Sequence, residues 1–238
     1  MLTITAILIT ISVEAEETWV PTGSLSLGVH NKLVLDGVNY HDESVMFSEV
    51  YLQLPLGFWA DVWISSGMDN DFSSDYGDEI DYHFGWAGKL SEDVSLNVSA
   101  SYFDLFDLGS SKRDILKLQV LLEKDVKLAG VSLTPFVKVK HFIPVNFPEL
   151  EAANIYFVGC SQNIDLTDSI SFNHNATLAY DEGMAGGQSD FWEYNAALSL
   201  SKGPVTLSPI KLNCSGPLSS DEKRETETVF GMSISYSF

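Results

Sequence analysis

Arginine is almost missing from this chain: Arg113 and Arg224 are the only two, and Lys and Arg total 13 against 33 Asp and Glu, giving a net charge of -20. Phosphate binding needs clustered cations, so nucleic acid is not an expected partner. Cysteine is equally scarce. Cys160 and Cys214 allow one disulfide at most, and without a CxxC or a Cys/His cluster no structural zinc motif exists. Long apolar runs are also lacking. The longest, from Leu2 to Val13, falls short of the roughly 18 to 20 residues that a membrane-spanning helix demands. No segment carries an apolar stripe of helical period. Disorder does not fit either, because hydrophobic residues make up 45% and aromatics 12% of the 238 residues.

What is present begins with an export signal. Leu2 to Val13 is followed at once by Glu14, Ala15, Glu16 and Glu17, which reads as the apolar region of a secretory signal peptide. Val13-Glu14-Ala15 places small residues where signal peptidase reads, so residues 1–15 are expected to be removed. Residues 16–238 are then the mature domain.

Within that domain the dominant pattern has period two, the signature of strands with one apolar and one polar face. Phe230, Met232, Ile234, Tyr236 and Phe238 alternate with Gly231, Ser233, Ser235 and Ser237, and Leu96, Val98, Ala100 and Tyr102 alternate with serine and asparagine. Twelve such segments follow one another, at about 24–35, 45–55, 58–66, 79–90, 94–104, 114–126, 131–143, 154–165, 169–180, 191–201, 205–214 and 227–238. Their connectors alternate between short, such as Pro55-Leu56-Gly57 and Lys202-Gly203-Pro204, and long, such as Asp36 to Ser44 and Gly67 to Asp78. Short turns on one side and long loops on the other suit a closed, all-β, up-and-down antiparallel transmembrane β-barrel of about 12 strands, with short periplasmic turns and long extracellular loops. Lipid cannot satisfy an open sheet edge, so the first strand is expected to pair with the last. A soluble barrel would point its apolar face inward and carry charge outside. Here the polar face is serine, asparagine, glycine and threonine, which suits a wet lumen. The terminal strand, Phe230, Met232, Ile234, Tyr236 and Phe238, matches the sorting signature of Gram-negative outer-membrane proteins. Localisation in the outer membrane follows, with its lipid and the barrel-assembly machinery as partners.

Strand parity assigns Lys32, Glu49, Gln53, Asp61, Asp81, His83, Lys117, Gln119, Glu123, Lys138, Lys140, Glu193 and Asn195 to the interior. A twelve-stranded barrel tilted by about 40° has a backbone diameter of roughly 24 Å, leaving a lumen of about 10 Å if nothing plugs it. Such a lumen passes small solutes or ions, and these charges would set selectivity. Acidic residues crowd the loops: Asp69, Asp71, Asp75, Asp78 and Glu79 in one, with Asp36, Asp42, Glu43, Glu149, Glu151, Asp181, Glu182 and Asp190 in others. A negative mouth concentrates cations, so a weak cation preference is expected. Asp69-Asn70-Asp71 begins like a calcium loop but lacks its glycine and terminal glutamate. No cofactor or metal is expected. His174, on the lipid face, and His141 have no His-x-Ser pattern, so the chain is expected not to be an enzyme; a lipid hydrolase and a structural or adhesive barrel are the alternatives. Trp59 and Trp63 point inward, while Phe58, Trp192 and Tyr236 suit the headgroup girdle. Pro135 and Pro209 mark strand irregularities.

The run Gly57-Phe58-Trp59-Ala60-Asp61-Val62-Trp63-Ile64-Ser65-Ser66, then Glu79-Ile80-Asp81-Tyr82-His83-Phe84-Gly85-Trp86-Ala87-Gly88, resembles the TorF-like family of outer-membrane porins. Asp165 to Phe172 is similar to that family's later turn-to-strand segment. The resemblance implies a barrel with a pore function and leaves the solute open. Many members carry an Arg-Gly pair after the first strand, where this chain has Asp36-Gly37.

Overall fold

The computed structural model describes residues 20–68, 78–105, 114–128, 130–145, 150–184, 188–219 and 224–238. The expected signal segment, 1–15, and the loop acids Asp69, Asp71, Asp75 and Glu149 lie outside these residues.

Alternation along the chain becomes strand after strand. In order they are β1 (Thr22–His30), β2 (Leu33–Leu35), β3 (Val38–His41), β4 (Val45–Gln53), β5 (Phe58–Gly67), β6 (Glu79–Lys89), β7 (Val94–Leu105) and β8 (Asp114–Lys124). They continue as β9 (Val126–Leu128), β10 (Val131–Val145), β11 (Ala153–Thr167), β12 (Ile170–Asp181), β13 (Ser189–Lys202), β14 (Val205–Pro217) and β15 (Glu227–Ser237). The sheet runs β11-β12-β13-β14-β15-β1-β4-β5-β6-β7-β8-β10 and returns from β10 to β11, a closed antiparallel barrel of 12 strands. The seam pairs Ser24 with Ser237 through His30 with Gly231. Reciprocal backbone bonds of 3.0 Å between Gly23 and Phe238 complete it. Closure satisfies every edge, the condition lipid imposes on a spanning sheet.

Parity then sorts the side chains. Leu27, Phe84, Val98, Val158, Leu178 and Ile210 are exposed on the outer surface, and so are Phe230, Met232, Ile234, Tyr236 and Phe238 of the last strand. Aromatics mark the short-turn end: Phe58 stacks on Phe84 at 5.8 Å, and the Trp86 indole donates to Leu56 O at 2.9 Å. Both prolines act where they were expected to. Pairing of β14 with β15 shifts between Ser208 and Lys211, around Pro209. Pro135 has no N–H to donate, and β8 and β9 break apart opposite it, with Thr134 Oγ1 bonded to Asp125 Oδ1 at 3.2 Å across the gap. Cys160 on β11 and Cys214 on β14 are separated by two strands.

Two expectations fail. The first strand was expected to run to Leu35, but β1 ends at His30 and residues 33–41 form a separate hairpin. The reason is its turn: Asp36 and Gly37 have φ of 49° and 73°, the paired left-handed conformation of a type I′ turn, which Asp-Gly favours. The polar face of the strands was expected to line a wet lumen, narrowed by Trp59 and Trp63. Instead Ile115, Phe142, Ile155, Phe157, Ala179 and Phe191 form a buried apolar cluster inside the long-loop end, with Leu105 and Met184 against it. Loops that fold into a lumen need a dry surface to pack on, and these residues supply it.

Candidate functional site

The β2–β3 hairpin does not extend into solvent; it enters the barrel. Leu33 is 2% exposed, and Asp36 at the tip receives Lys140 Nζ at 2.5 Å. Lys140 lies five residues below Val145, the long-loop end of β10, about 17 Å along the strand at ~3.4 Å per residue. Three further contacts hold the hairpin. Lys32, just after β1, bonds Glu227 of β15 at 2.5 Å, and Asn39 Nδ2 donates to the same carboxylate at 3.2 Å. Arg224 Nη1 donates to the Asp36 carbonyl.

Arg224 is the central anchor. It is 3% exposed, donates from Nη2 to Asp181 Oδ2 at 2.6 Å and from Nε to Ser189 Oγ at 2.9 Å, and lies 3.9 Å from the Phe191 ring centroid. Asp181 in turn accepts from the backbone N–H of Gly183 and Met184 at 2.8 and 2.6 Å. One guanidinium thus joins the last long loop, the ends of β12 and β13, and the hairpin tip.

The hairpin divides the interior into two chambers, since Leu35 and Asp36 line both. The smaller, about 270 Å³, is bounded by Glu49, Asp61, Trp63, Glu79, Asp81, His83, Phe103 and Lys117 from the β4–β8 wall. Cross-strand register makes the acids neighbours: Glu49 faces Trp63, Asp61 faces His83, and Trp63 faces Asp81. Glu79 and Asp81 share the inward face of β6. Gly85 has no side chain because the Trp59 indole lies over it, 2.5 Å from where a Cβ would stand. The larger chamber, about 650 Å³, is lined by Lys138, Lys140, Lys211, Glu193 and amides. Asn213 donates to Asn195 at 2.6 Å, and Asn195 to Asn175 at 3.2 Å, an amide ladder over three strands.

The interior lysines rest on rings. Lys117 stands 4.7 Å from the Phe103 centroid, Lys138 4.1 Å and Lys140 5.1 Å from Phe157, and Lys211 5.3 Å from Phe47. A ring face attracts the ammonium while excluding water, which fixes each charge without neutralising it.

Of the residues that parity placed inside, Glu49, Asp61, Asp81, His83 and Lys117 meet in the smaller chamber, and Lys138, Glu193 and Asn195 in the larger. Lys140 borders both. Lys32 is on no strand and pairs with Glu227, and Glu123 lies near the short turns, lining neither chamber. Three acids assigned to the mouth are elsewhere: Asp36 is at the hairpin tip, Asp181 is fully buried, and Glu79 opens β6 at 3% exposure. Burial tends to push the Asp36 carboxyl up, but Lys140, Lys138 and Lys117 outweigh it and hold the carboxyl below its ordinary range.

Arg224, Lys211, Glu227 and the inward phenylalanines were missed. The phenylalanines were readable, because Phe47 shares parity with Glu49 and Phe191 with Glu193. Arg224, in a loop, carries no periodic signal.

The histidines are engaged. His174 bonds Gln162 at 3.0 Å and stacks on Phe172, and His141 bonds Asn154 at 2.9 Å. His83 bonds Ser101 Oγ at 2.7 Å and stands 3.8 Å from Asp81 Oδ2, a serine, histidine and carboxylate in series. Ser101, however, is 2% exposed and lines neither chamber.

No protein-family model matches the chain, and no curated protein matches it. Solved structures do. A NanC porin is 12% identical over 90% of this chain and 98% of its own, with a TM-score of 0.59. A KdgM porin is 9% identical over 91% and 99%, with a TM-score of 0.57. An outer-membrane channel from Pseudomonas putida F1 is 10% identical over 92% and 95%, with a TM-score of 0.54. At these identities the likeness is one of architecture: the chain has the fold of the porin-like barrels of the outer membrane.

Proposed function

We propose that the chain is a channel of the Gram-negative outer membrane that passes small solutes or ions by passive diffusion, with a weak preference for cations. The observation that carries this reading is the interior itself: two chambers lined by charged as well as apolar side chains on either side of a hairpin, within a barrel whose outer face is apolar. A barrel serving only as a scaffold or adhesin has no need of charges held on rings in its lumen. The motif resemblance to TorF-like porins points the same way. Glu49, Asp61, Asp81, His83, Lys117, Lys138, Lys140 and Glu193 are the residues proposed to line the path, with Lys32 and Glu123 toward its ends. Cation preference is favoured by the acidic wall of the smaller chamber and by Asp42, Glu43 and Asp78 in the described loops. The hydrolase alternative gains a geometric candidate in Ser101, His83 and Asp81 but lacks access for a substrate to the serine oxygen. Export through a signal peptide ending at Ala15, and assembly read from the strand ending at Phe238, complete the reading.

The test is a planar bilayer holding the mature barrel across a potassium chloride gradient. Discrete conductance steps with a reversal potential on the potassium side are expected. Absence of steps would leave a structural barrel, and a reversal potential on the chloride side would remove the cation preference.

A further inference from the structure

The smaller chamber is unbalanced. Glu49, Asp61, Glu79 and Asp81 converge on it, while its cations are Lys140, already joined to Asp36, and Lys117, seated over Phe103. His83 is turned to Ser101 through Nδ1. Asp81 is only 5% exposed, lines the chamber, and has an Oδ1 with no hydrogen-bond partner; the Oδ1 of Asp61 on the next strand is buried and equally without one. Buried carboxyl oxygens are costly to leave unmatched, and the two residues that carry them line one cavity, which a donor from outside the chain can enter.

The donor's chemistry can be narrowed. Among the described residues no three of His, Cys, Asp and Glu are grouped closely enough to hold a metal ion. A compact ion is therefore a poor match, whereas a molecule with separated N–H donors can reach acids spread over β4, β5 and β6. Trp63 and Phe103 add ring faces to the same walls, and Leu35, Ile115 and Phe142 add apolar surface. Rings beside carboxylates favour a cation with an organic body. The volume, about 270 Å³, lies just under the usual range for small-molecule sites and limits the guest to a small one.

We propose that this chamber is a binding site for a small organic cation, an alkylammonium or guanidinium compound, held between Asp61 and Asp81 with its body against Trp63 and Phe103. The inference deepens the channel reading and rests on it for the guest's entry. A site of this kind slows such cations in passage and makes the pore selective among cations by shape as well as charge.

The test uses the full mature barrel refolded in detergent, titrated calorimetrically with agmatine and with n-butylammonium, and with potassium and calcium chloride as inorganic probes. Agmatine is expected to bind at one site per barrel, more tightly than either inorganic cation. Asp81→Asn and Asp61→Asn should each weaken it about ten- to hundredfold, the loss of one charge-assisted hydrogen bond. Glu92→Gln, in an exposed short turn, should leave it unchanged. Absence of saturable agmatine binding overturns the proposal. So does calcium binding of equal strength, or affinity that survives both aspartate variants. Should Asp81→Asn fail to refold, Asp61→Asn decides alone. Bilayer recordings separate the two readings: conductance without agmatine binding sinks the site and leaves the channel, and binding without conductance does the reverse.

Discussion

Replacing Arg224 with methionine tests whether the lumen is closed by a buried ionic anchor. The side chain is 3% exposed and its partner Asp181 is fully buried, so the variant keeps the volume but leaves the buried Asp181 charge with no guanidinium opposite it, beside an apolar cluster. Breaking a buried pair from one side costs about 3 to 5 kcal/mol, most of it the desolvated charge left behind. An exposed pair costs about 1 kcal/mol or less. The interval between those values makes the measurement decisive. Urea unfolding of the barrel in lipid vesicles, followed by tryptophan fluorescence, should give a loss of about 3 to 5 kcal/mol for Arg224→Met. Asp181→Asn with Arg224→Met should recover much of it, because the stranded charge is gone, giving a coupling energy of about 2 to 3 kcal/mol. The same substitution removes the donor to the Asp36 carbonyl, so bilayer recordings should show larger or noisier conductance as the hairpin loosens. A loss under about 1 kcal/mol with unchanged conductance would refute the anchor and place Arg224 in solvent.

Gly37→Val puts a branched side chain at a φ of 73° and a Cβ 2.8 Å from Arg224 Nη1, so a cost of at least about 1 to 2 kcal/mol and an undocked hairpin are expected in the same two assays. Asp36 carries a depressed pKa, so its ion pair contributes stability that is complete above its ordinary value of 3.8 and is lost as pH falls through the lower folded value. Conductance should therefore hold steady down to about pH 4 and change below it, and Asp36→Asn should remove that acid transition. Phe238→Ala deletes a lipid-facing ring but keeps the backbone bonds to Gly23; membrane-assembled protein in cells should drop severalfold while unfolding in vitro shifts by less than about 1.5 kcal/mol.

Most of the barrel was legible because lipid imposes one rule on every strand. Met232, Ile234 and Tyr236 must face outward whatever the lumen does, and that constraint writes the strand, its parity and its register into the chain. Strand ends at Gly67, Lys89 and Leu105 lie within a residue of those read from alternation. The hairpin was hidden by the same rule. Leu33 to Leu35 continues the apolar character of β1, and only Asp36-Gly37 marks the reversal. An Asp-Gly pair between Leu33-Val34-Leu35 and Val38-Asn39-Tyr40 is a strong hairpin signal, but it looks like an ordinary loop start once a long loop is expected there. Arg224 was beyond reach for a different reason. Its role comes from packing between a loop and two strand ends, and no local pattern encodes a contact 188 residues away with the Asp36 carbonyl.

The scarcity of cations gains meaning from where they sit. In a chain of net charge -20, Lys117, Lys138, Lys140, Lys211 and Arg224 are all drawn inside and set on aromatic rings. Lys140 and Arg224 hold the hairpin tip, and Lys32 ties the strand before it to β15. Acid on the β4–β6 wall is left with little to oppose it. Had the lysines been paired across the lumen with Glu49, Asp61 and Asp81, the interior would be a neutral plug of ion pairs. Because Lys140 instead braces the hairpin and Lys117, Lys138 and Lys211 rest on rings, field lines run from the lysines to the acidic wall through the space a solute would occupy. On the channel reading proposed above, a permeating molecule would be sorted twice, by the negative charge of the loops and then by which chamber matches its own charge, with the hairpin standing between the two chambers.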